Sequence, residues 1–231
     1  MKLSVIIPAL NEAAGLPETL GRLRLDPKIS EIVVSDGGSS DGTTRIAAES
    51  GAVVVSGVRG RGAQCRAGAE RATGDALLFL HADTWLPSGA GLAVLETLEI
   101  AESGPQRIVG GAFSKRFHDA PWYMRGARFR SRLWFALTRR PFADQGIFVR
   151  ADSLESIGGF PAQPLMEEFE LVRRLERVGS MVLLPETVTA SARRFRQHGV
   201  LRTYFKMADV LIRHALGASP EELRRRYEGR R

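Results

Sequence analysis

Cysteine is almost absent. Cys65 is the only one among 231 residues, so no disulfide can form within the chain, and a reducing compartment suits it. Long apolar runs are missing too. No stretch approaches the ~20 residues needed to span a bilayer. The run Leu3 to Ile7 is too short for a signal peptide and stops at Pro8, so it reads as a buried strand. No internal repeat and no low-complexity linker interrupts the chain, which excludes a repeat architecture. Lysine is scarce: it supplies four of the 33 basic residues, leaving 29 arginines.

What is present fits one well-filled core. The hydrophobic content is 44%, enough for a single domain and thin for two. Residues 1–200 are expected to form that domain, with 201–231 as a helical extension of it. The net charge is +7. It reflects either compositional bias or a phosphate, anionic lipid or nucleic-acid partner. Two regions concentrate it. Lys115 to Arg140 holds eight basic residues against one acid, and Arg193 to Arg231 holds eleven against four.

The first half alternates apolar strands with amphipathic helices. Strands are predicted at Ser4–Ile7, Glu31–Val34, Ala52–Val55 and Ala76–Leu80, and helices at Leu16–Leu25, Thr43–Ser50 and Gly62–Ala72. That alternation implies an α/β fold, a mostly parallel central sheet flanked by helices. Ligands bind such sheets beyond the carboxyl ends of the strands. The second half is less regular. A long strand is expected at Ile108–Phe117, short strands at Gly146–Val149 and Met181–Leu184, and helices at Trp122–Leu137, Met166–Arg177, Gly199–Leu216 and from Pro220.

Polar clusters fall where the strands end. Pro8, Asn11 and Glu12 follow the first. Asp36 to Thr43 follow the second, and His81-Ala82-Asp83 follow the fourth. Asp36 can accept a hydrogen bond from a base N–H or a ribose hydroxyl, while Asp41 suits a helix cap. Asp83 can hold a hard cation shared with a diphosphate. Side chains two apart on an extended segment share a side, so His81 could add a nitrogen ligand, which favours Mn²⁺ slightly over Mg²⁺. Glu167, Glu168 and Glu170 open a helix. Acids there suit the helix dipole, and one could be a general base. They point in different directions, so a single one is expected to face the cleft. Arg61 sits at the predicted cleft edge, and Arg193-Arg194-Phe195-Arg196 follows a late strand, where arginines suit a diphosphate.

Together these residues resemble glycosyltransferase family 2, with its A-type nucleotide-sugar-binding fold. The strand-P-x-x-N-E opening matches at Pro8, Asn11 and Glu12, and D-D-G-S-x-D-G-T matches as Asp36 to Thr43, with Gly37 for the second acid. The D-x-D metal motif matches as His81 to Asp83, with histidine for the first acid. G-G-F…E-D matches as Gly158-Gly159-Phe160 and Glu167-Glu168, and the arginine motif as Arg193-Arg194-Phe195. Asp144-Gln145-Gly146-Ile147-Phe148 and His198 to Thr203 are similar to a small bacterial subgroup, some named for arsenosugar biosynthesis and some for carotenoid-acid glycosylation.

The resemblance implies inverting transfer of a sugar from a nucleoside-diphosphate sugar to a hydroxyl acceptor, a lipid or a small metabolite. It implies a divalent cation, Mn²⁺ or Mg²⁺, on Asp83 and His81. Donor contacts would come from Pro8, Asn11, Glu12, Asp36, Arg61, His81, Asp83 and Arg194. The base would be Glu168, or Glu167 beside it, with Asp144 and Gln145 on the acceptor side. A cytoplasmic protein is expected, peripheral on the inner membrane face if it meets the membrane. The helix bearing Arg125, Arg128, Arg132, Phe129 and Trp134 either packs its apolar face on the sheet or lies on an anionic bilayer surface.

The alternative is a peripheral membrane or nucleotide-binding protein of the same fold with little or no transferase activity. An oxidoreductase would need G-x-G-x-x-G, and Cys65 breaks the run at Gly60. A nucleotidyltransferase would need a glycine-rich loop where Pro8 to Glu12 stand. No fold signature for nucleic acid accompanies the basic stretches.

Overall fold

The computed structural model describes residues 1–57, 59–100, 107–118, 124 and 126–228, apart from the side chains of Arg194 and Glu228. Four parallel strands carry the first half: β1 (Leu3–Ala9), β2 (Ile29–Asp36), β3 (Val53–Ser56) and β4 (Ala76–Phe79). Helices α1 (Leu16–Arg24), α2 (Thr43–Glu49) and α3 (Arg61–Arg71) connect them. The remaining strands are β5 (Thr84–Trp85), β6 (Ile108–His118), β7 (Ile147–Arg150) and β8 (Ser180–Ser191). They extend the sheet to eight strands in the order β3-β2-β1-β4-β7-β6-β8-β5. Strand β7 runs antiparallel to β4 and β6, β5 runs antiparallel to β8, and β6 pairs parallel with β8. The sheet is therefore mostly parallel, as expected from the alternation.

Strand β1 shows why both faces are covered. Val5 and Ile7 point into one core, and Ile6 between them points into the other. The first core takes Leu16, Leu20 and Leu23 of α1 and Val94 and Leu98 of α4 (Ala90–Ile100). Each such leucine is worth at most about 1.5–3 kcal/mol of burial. The second core takes Cys65 of α3, Phe135 of α5 (Ala127–Thr138), Leu154 of α6 (Ala151–Ser156) and Leu171 of α7 (Glu167–Leu175). A smaller cluster of Met166, Phe169, Val210 and Leu223 ties α9 (Val200–Ala215) and α10 (Pro220–Glu228) to the start of α7. Helix α8 (Arg193–His198) leads from β8 into α9.

Two contacts fix α3 against the sheet and so position Arg61 at its first residue. A Cβ on Gly68 would lie 2.5 Å from Ile6 Cγ2, so only glycine lets the helix approach β1 this closely. The Gln64 amide donates to Ala9 O at 2.7 Å and Ser35 O at 2.8 Å, satisfying the carboxyl ends of β1 and β2.

Elements the sequence pattern did not predict are β5, α4, α6 and α8. Strand β8 is also much longer than the predicted Met181–Leu184. Its register against β6 jumps from Phe113↔Leu184 to Ser114↔Thr187, so Pro185 and Glu186 form a bulge. Proline is tolerated there because a bulged residue leaves the ladder. Of the predicted helix Trp122–Leu137, residues 122, 123 and 125 lie outside the described residues, and α5 begins at Ala127.

Candidate active site

The carboxyl ends of β1 and β2 lie level, since Ala9 pairs with Asp36, and the parallel β4 ends three residues earlier in register, with Phe79 opposite Ile6. Their loops therefore meet above one edge of the sheet.

The loop after β2 is a rigid platform. Asp36 is buried, and its carboxylate accepts the Gly38 and Ser39 N–H groups, both at 2.9 Å, and the Ser39 hydroxyl. Three of roughly four acceptor positions are thus used inside the turn. Ser39 also accepts the Asn11 N–H at 2.8 Å, and Asn11 Oδ1 accepts the Ser40 N–H at 2.9 Å. Asn11 pays for this with a left-handed backbone, φ 54°, which asparagine tolerates. Asp41 accepts the Thr43 hydroxyl and its N–H at 3.0 Å, and the Ala13 N–H at 3.1 Å. The Thr43 hydroxyl bond, with these N–H groups, holds the Asp41 carboxyl below its ordinary range. The loops after β1 and β2 are thereby stitched together.

Beside them sits a first ionic cluster. Arg193 Nη2 donates to Glu12 Oε1 at 2.7 Å and lies 3.3 Å from Asp83 Oδ2. One guanidinium faces two carboxylates, and Glu12 Oε2 is buried with no hydrogen-bond partner among the described residues. Burial pushes the Asp83 carboxyl up; Arg193 opposes this and the neighbouring Glu12 adds to it, for a net rise.

A second cluster centres on Arg61, and the Asp144 carboxylate acts electrostatically on both, on Asp83 of the first and Glu168 of the second. Arg61 Nε donates to Glu167 Oε1, and Arg61 Nη2 donates to Glu168 Oε2 at 2.9 Å. The two glutamate side chains are only 2% and 9% exposed. Burial and the adjacent Glu167 push the Glu168 carboxyl up against the pull of Arg61. The expectation that only one of the α7 glutamates faces the cleft is corrected here. Glu167 and Glu168 occupy the first turn after Met166, itself left-handed at φ 60°, and both reach Arg61. Glu170 turns outward to Arg173 and Arg174, whose hydrogen bonds pull its carboxyl down to about 2.

His81 and Asp83 are not on an extended segment as expected. The Thr84 N–H closes on His81 O at 3.1 Å, making a turn. The two side chains consequently go to different partners: His81 Nε2 stands 3.3 Å from Arg61 Nη1, while Asp83 faces Arg193. A guanidinium only donates, so Nε2 is the acceptor in that contact. Pro8, His81, Arg61, Glu167 and Glu168 line one recess, floored by Phe79 and Phe160.

Sequence reasoning missed Lys115. It is buried, pairs with Asp144 at 2.7 and 2.8 Å, and lies over the Phe142 ring at 4.9 Å. Burial raises the Asp144 carboxyl, but Lys115, helped by His81 and Arg61, outweighs it and holds it low. Gln145 spends its amide inside the fold, donating to Phe113 O at 2.9 Å and accepting the Phe142 N–H at 3.0 Å. It thereby props the turn that presents Asp144. Arg193 is the arginine placed in the cleft; the side chain of Arg194 lies outside the described residues.

Among the described residues, no three His, Cys, Asp or Glu side chains gather to hold a metal ion. The residues nevertheless fit a cation completed by a ligand. Each ionic cluster sets two carboxylates against one guanidinium, so the cleft carries surplus negative charge toward a diphosphate. A divalent ion held by Asp83 would offset it.

This arrangement of sheet and loops is the A-type glycosyltransferase fold. It is similar to S. aureus TarS 1–349 in complex with UDP, at 17% identity and a TM-score of 0.64 over 83% of this chain and 60% of that one. It is also similar to glucosyl-3-phosphoglycerate synthase from Mycobacterium tuberculosis in complex with Mn²⁺ and UDP-glucose. There the identity is 23% and the TM-score 0.58, over 80% of this chain and 70% of that one. Against the S. aureus TarS structure at its fuller length, the chain spans 37% of that protein, at 17% identity and a TM-score of 0.61. No curated protein sequence matches the chain. The model of the family "Glycosyl transferase family 2" matches residues 4–154, and the chain belongs to that family.

Proposed function

We propose that the protein transfers a sugar from a nucleoside-diphosphate donor to a hydroxyl acceptor with inversion at the anomeric carbon. The observation that carries this reading is a pair of ionic clusters beyond the strand ends, each setting two carboxylates against one arginine, with Asp144 acting on both. Glu12, Asp83 and Arg193 form one, and Arg61, Glu167 and Glu168 the other. The rigid loop from Asp36 to Thr43, with Asn11 and Pro8, is suited to the nucleoside. The diphosphate would lie toward Arg61, with Arg194 a further candidate.

Glu168 is the proposed base. Its carboxyl is raised by burial, and a base poised nearer neutral pH accepts a proton more effectively. Arg61 holds it until a diphosphate competes for the guanidinium. Glu167 shares that arginine and is the alternative base. Asp144, kept ionised by Lys115, would orient the acceptor, with Gln145 supporting it. A divalent cation, Mn²⁺ or Mg²⁺, bound through Asp83 would stabilise the charge on the departing diphosphate. His81, turned toward Arg61, is the weaker ligand.

The acceptor would be a lipid or small-metabolite hydroxyl. An anionic membrane surface on the cytoplasmic side would supply the former. The test is transfer of labelled sugar from UDP-, GDP- and dTDP-sugars to a lipid extract and to a panel of hydroxylated metabolites. Labelled product from the wild type but not from Glu168→Gln supports the reading. Tight donor binding without product from any acceptor favours a nucleotide-binding protein of the same fold.

A further inference from the structure

Helix α9 is apolar on two opposite sides. Thr203 and Val210 are buried, yet Leu201, Phe205, Ile212 and Leu216 are 61–81% exposed. At 3.6 residues per turn those four fall within about 60° of arc, roughly opposite the buried pair. Helix α5 repeats the pattern. Ala127, Ser131 and Phe135 are buried, while Phe129, Leu133 and Leu137 are exposed. These three also form one stripe, about 80° wide, facing away from the body.

The two helices are neighbours. Arg130 of α5 donates to the Tyr204 hydroxyl of α9 at 3.1 Å, and Trp134 of α5 joins the cluster that holds Val210. Their exposed stripes therefore make one apolar platform. Its polar residues carry mostly one sign: Arg128, Arg130, Arg132, Arg202, Lys206 and Arg213 against Asp209, which pairs with Arg213 at 2.8 Å.

We infer that this α5–α9 face docks on an anionic lipid bilayer. An exposed apolar stripe flanked by basic side chains is what an interfacial helix presents to a membrane: the apolar groups enter the headgroup boundary and the cations meet lipid phosphates. No described helix is long and apolar enough to cross a membrane, so the contact is lateral. Charge decides against a second copy of the chain as the occupant, because a symmetric dimer would set this basic face against itself.

The platform also reaches the cleft. Tyr204 packs on Phe195 with ring centroids 5.2 Å apart, and Phe195 is two residues from Arg193, the partner of Glu12 and Asp83. On the other side Trp134 stacks on Phe142, 5.3 Å away, beside the Lys115–Asp144 pair. Docking would bring the cleft to headgroup level, where a lipid hydroxyl is presented. That last step alone rests on the sugar-transfer reading.

The test is flotation of the whole chain, without any donor, on phosphatidylcholine vesicles with and without phosphatidylglycerol. The wild type is expected to float only with the anionic vesicles, and less in high salt. The double variants Phe205→Ser/Ile212→Ser and Phe129→Ser/Leu133→Ser are expected to partition roughly 10- to 100-fold less, with wild-type melting curves. The inference is overturned if the wild type does not float. It is equally overturned if both double variants float as well as the wild type. A wild-type dimer in light scattering that the same substitutions dissolve would assign the face to a second copy instead. Because no donor is present, failure of the sugar-transfer reading leaves this result unchanged.

Discussion

Replacing Arg61 with methionine keeps most of the side-chain volume and removes the cation that Glu167 and Glu168 share. Those side chains are 2% and 9% exposed, while Arg61 is 33% exposed. Breaking a fully buried pair costs about 3–5 kcal/mol. Solvent at the arginine screens part of this, so a loss of about 2–3 kcal/mol is expected near pH 8. For a domain of this size that lowers Tm by roughly 4–12 °C. The deficit should shrink in acid. Glu168 is already raised above 4.5 in the folded state, and losing Arg61 raises it further. Between the unfolded value and the folded one, the folded state binds more protons, so stability falls as pH rises through that window. Below it Glu168 is neutral and needs no counter-ion. Melting curves by circular dichroism at pH 5 and pH 8 test this. A deficit equal at both pH values, or no deficit at pH 8, would refute the counter-ion role.

Three other outcomes follow from the site. Glu168→Gln is expected to lower turnover by at least ~100-fold, the contribution of a positioned base, while donor affinity stays within a few-fold; near-normal turnover would shift the base to Glu167. Asp83→Ala is expected to abolish the difference in calorimetric nucleotide affinity between buffers with and without Mn²⁺, and a persisting difference would place the cation elsewhere. Asp36→Ala frees the Gly38 and Ser39 N–H groups and the Ser39 hydroxyl, which should cost about 1–3 kcal/mol in urea unfolding together with donor binding; intact binding would confine Asp36 to a structural role.

The first half of the fold was legible because its signals are local. Leu16, Leu20 and Leu23 recur at helical spacing, and Val33-Val34 and Leu77–Leu80 end at polar loops. Strand β5 is two residues long and exists only because β8 is there to pair with it. The Pro185 bulge hid the second half of β8, since the residue pattern breaks where the ladder skips two positions.

At the site, Asp36 and Asp83 stood out at strand ends and the resemblance to glycosyltransferase family 2 singled out Glu12 and Glu168, but their ionic partners could not be read. Arg61 is 107 residues from Glu168, and Arg193 is 181 from Glu12. Nothing local distinguishes Arg193 from Arg194. The direction of His81 depended on a turn that the apolar run before it does not encode. Lys115 carried the one available signal, a rare lysine within a strand in an arginine-rich chain.

The central claim is donor binding in this cleft, and a thermal-shift screen of UDP-, GDP- and dTDP-sugars with and without Mn²⁺ tests it most directly. At about 100 times Kd a ligand adds roughly 2.7 kcal/mol, or about 5–11 °C in Tm for a domain of this size. At least one donor is expected to give such a shift, in a manner that depends on Mn²⁺ and is removed by Asp83→Ala. No shift from any of the three donors, with or without Mn²⁺, would contradict it.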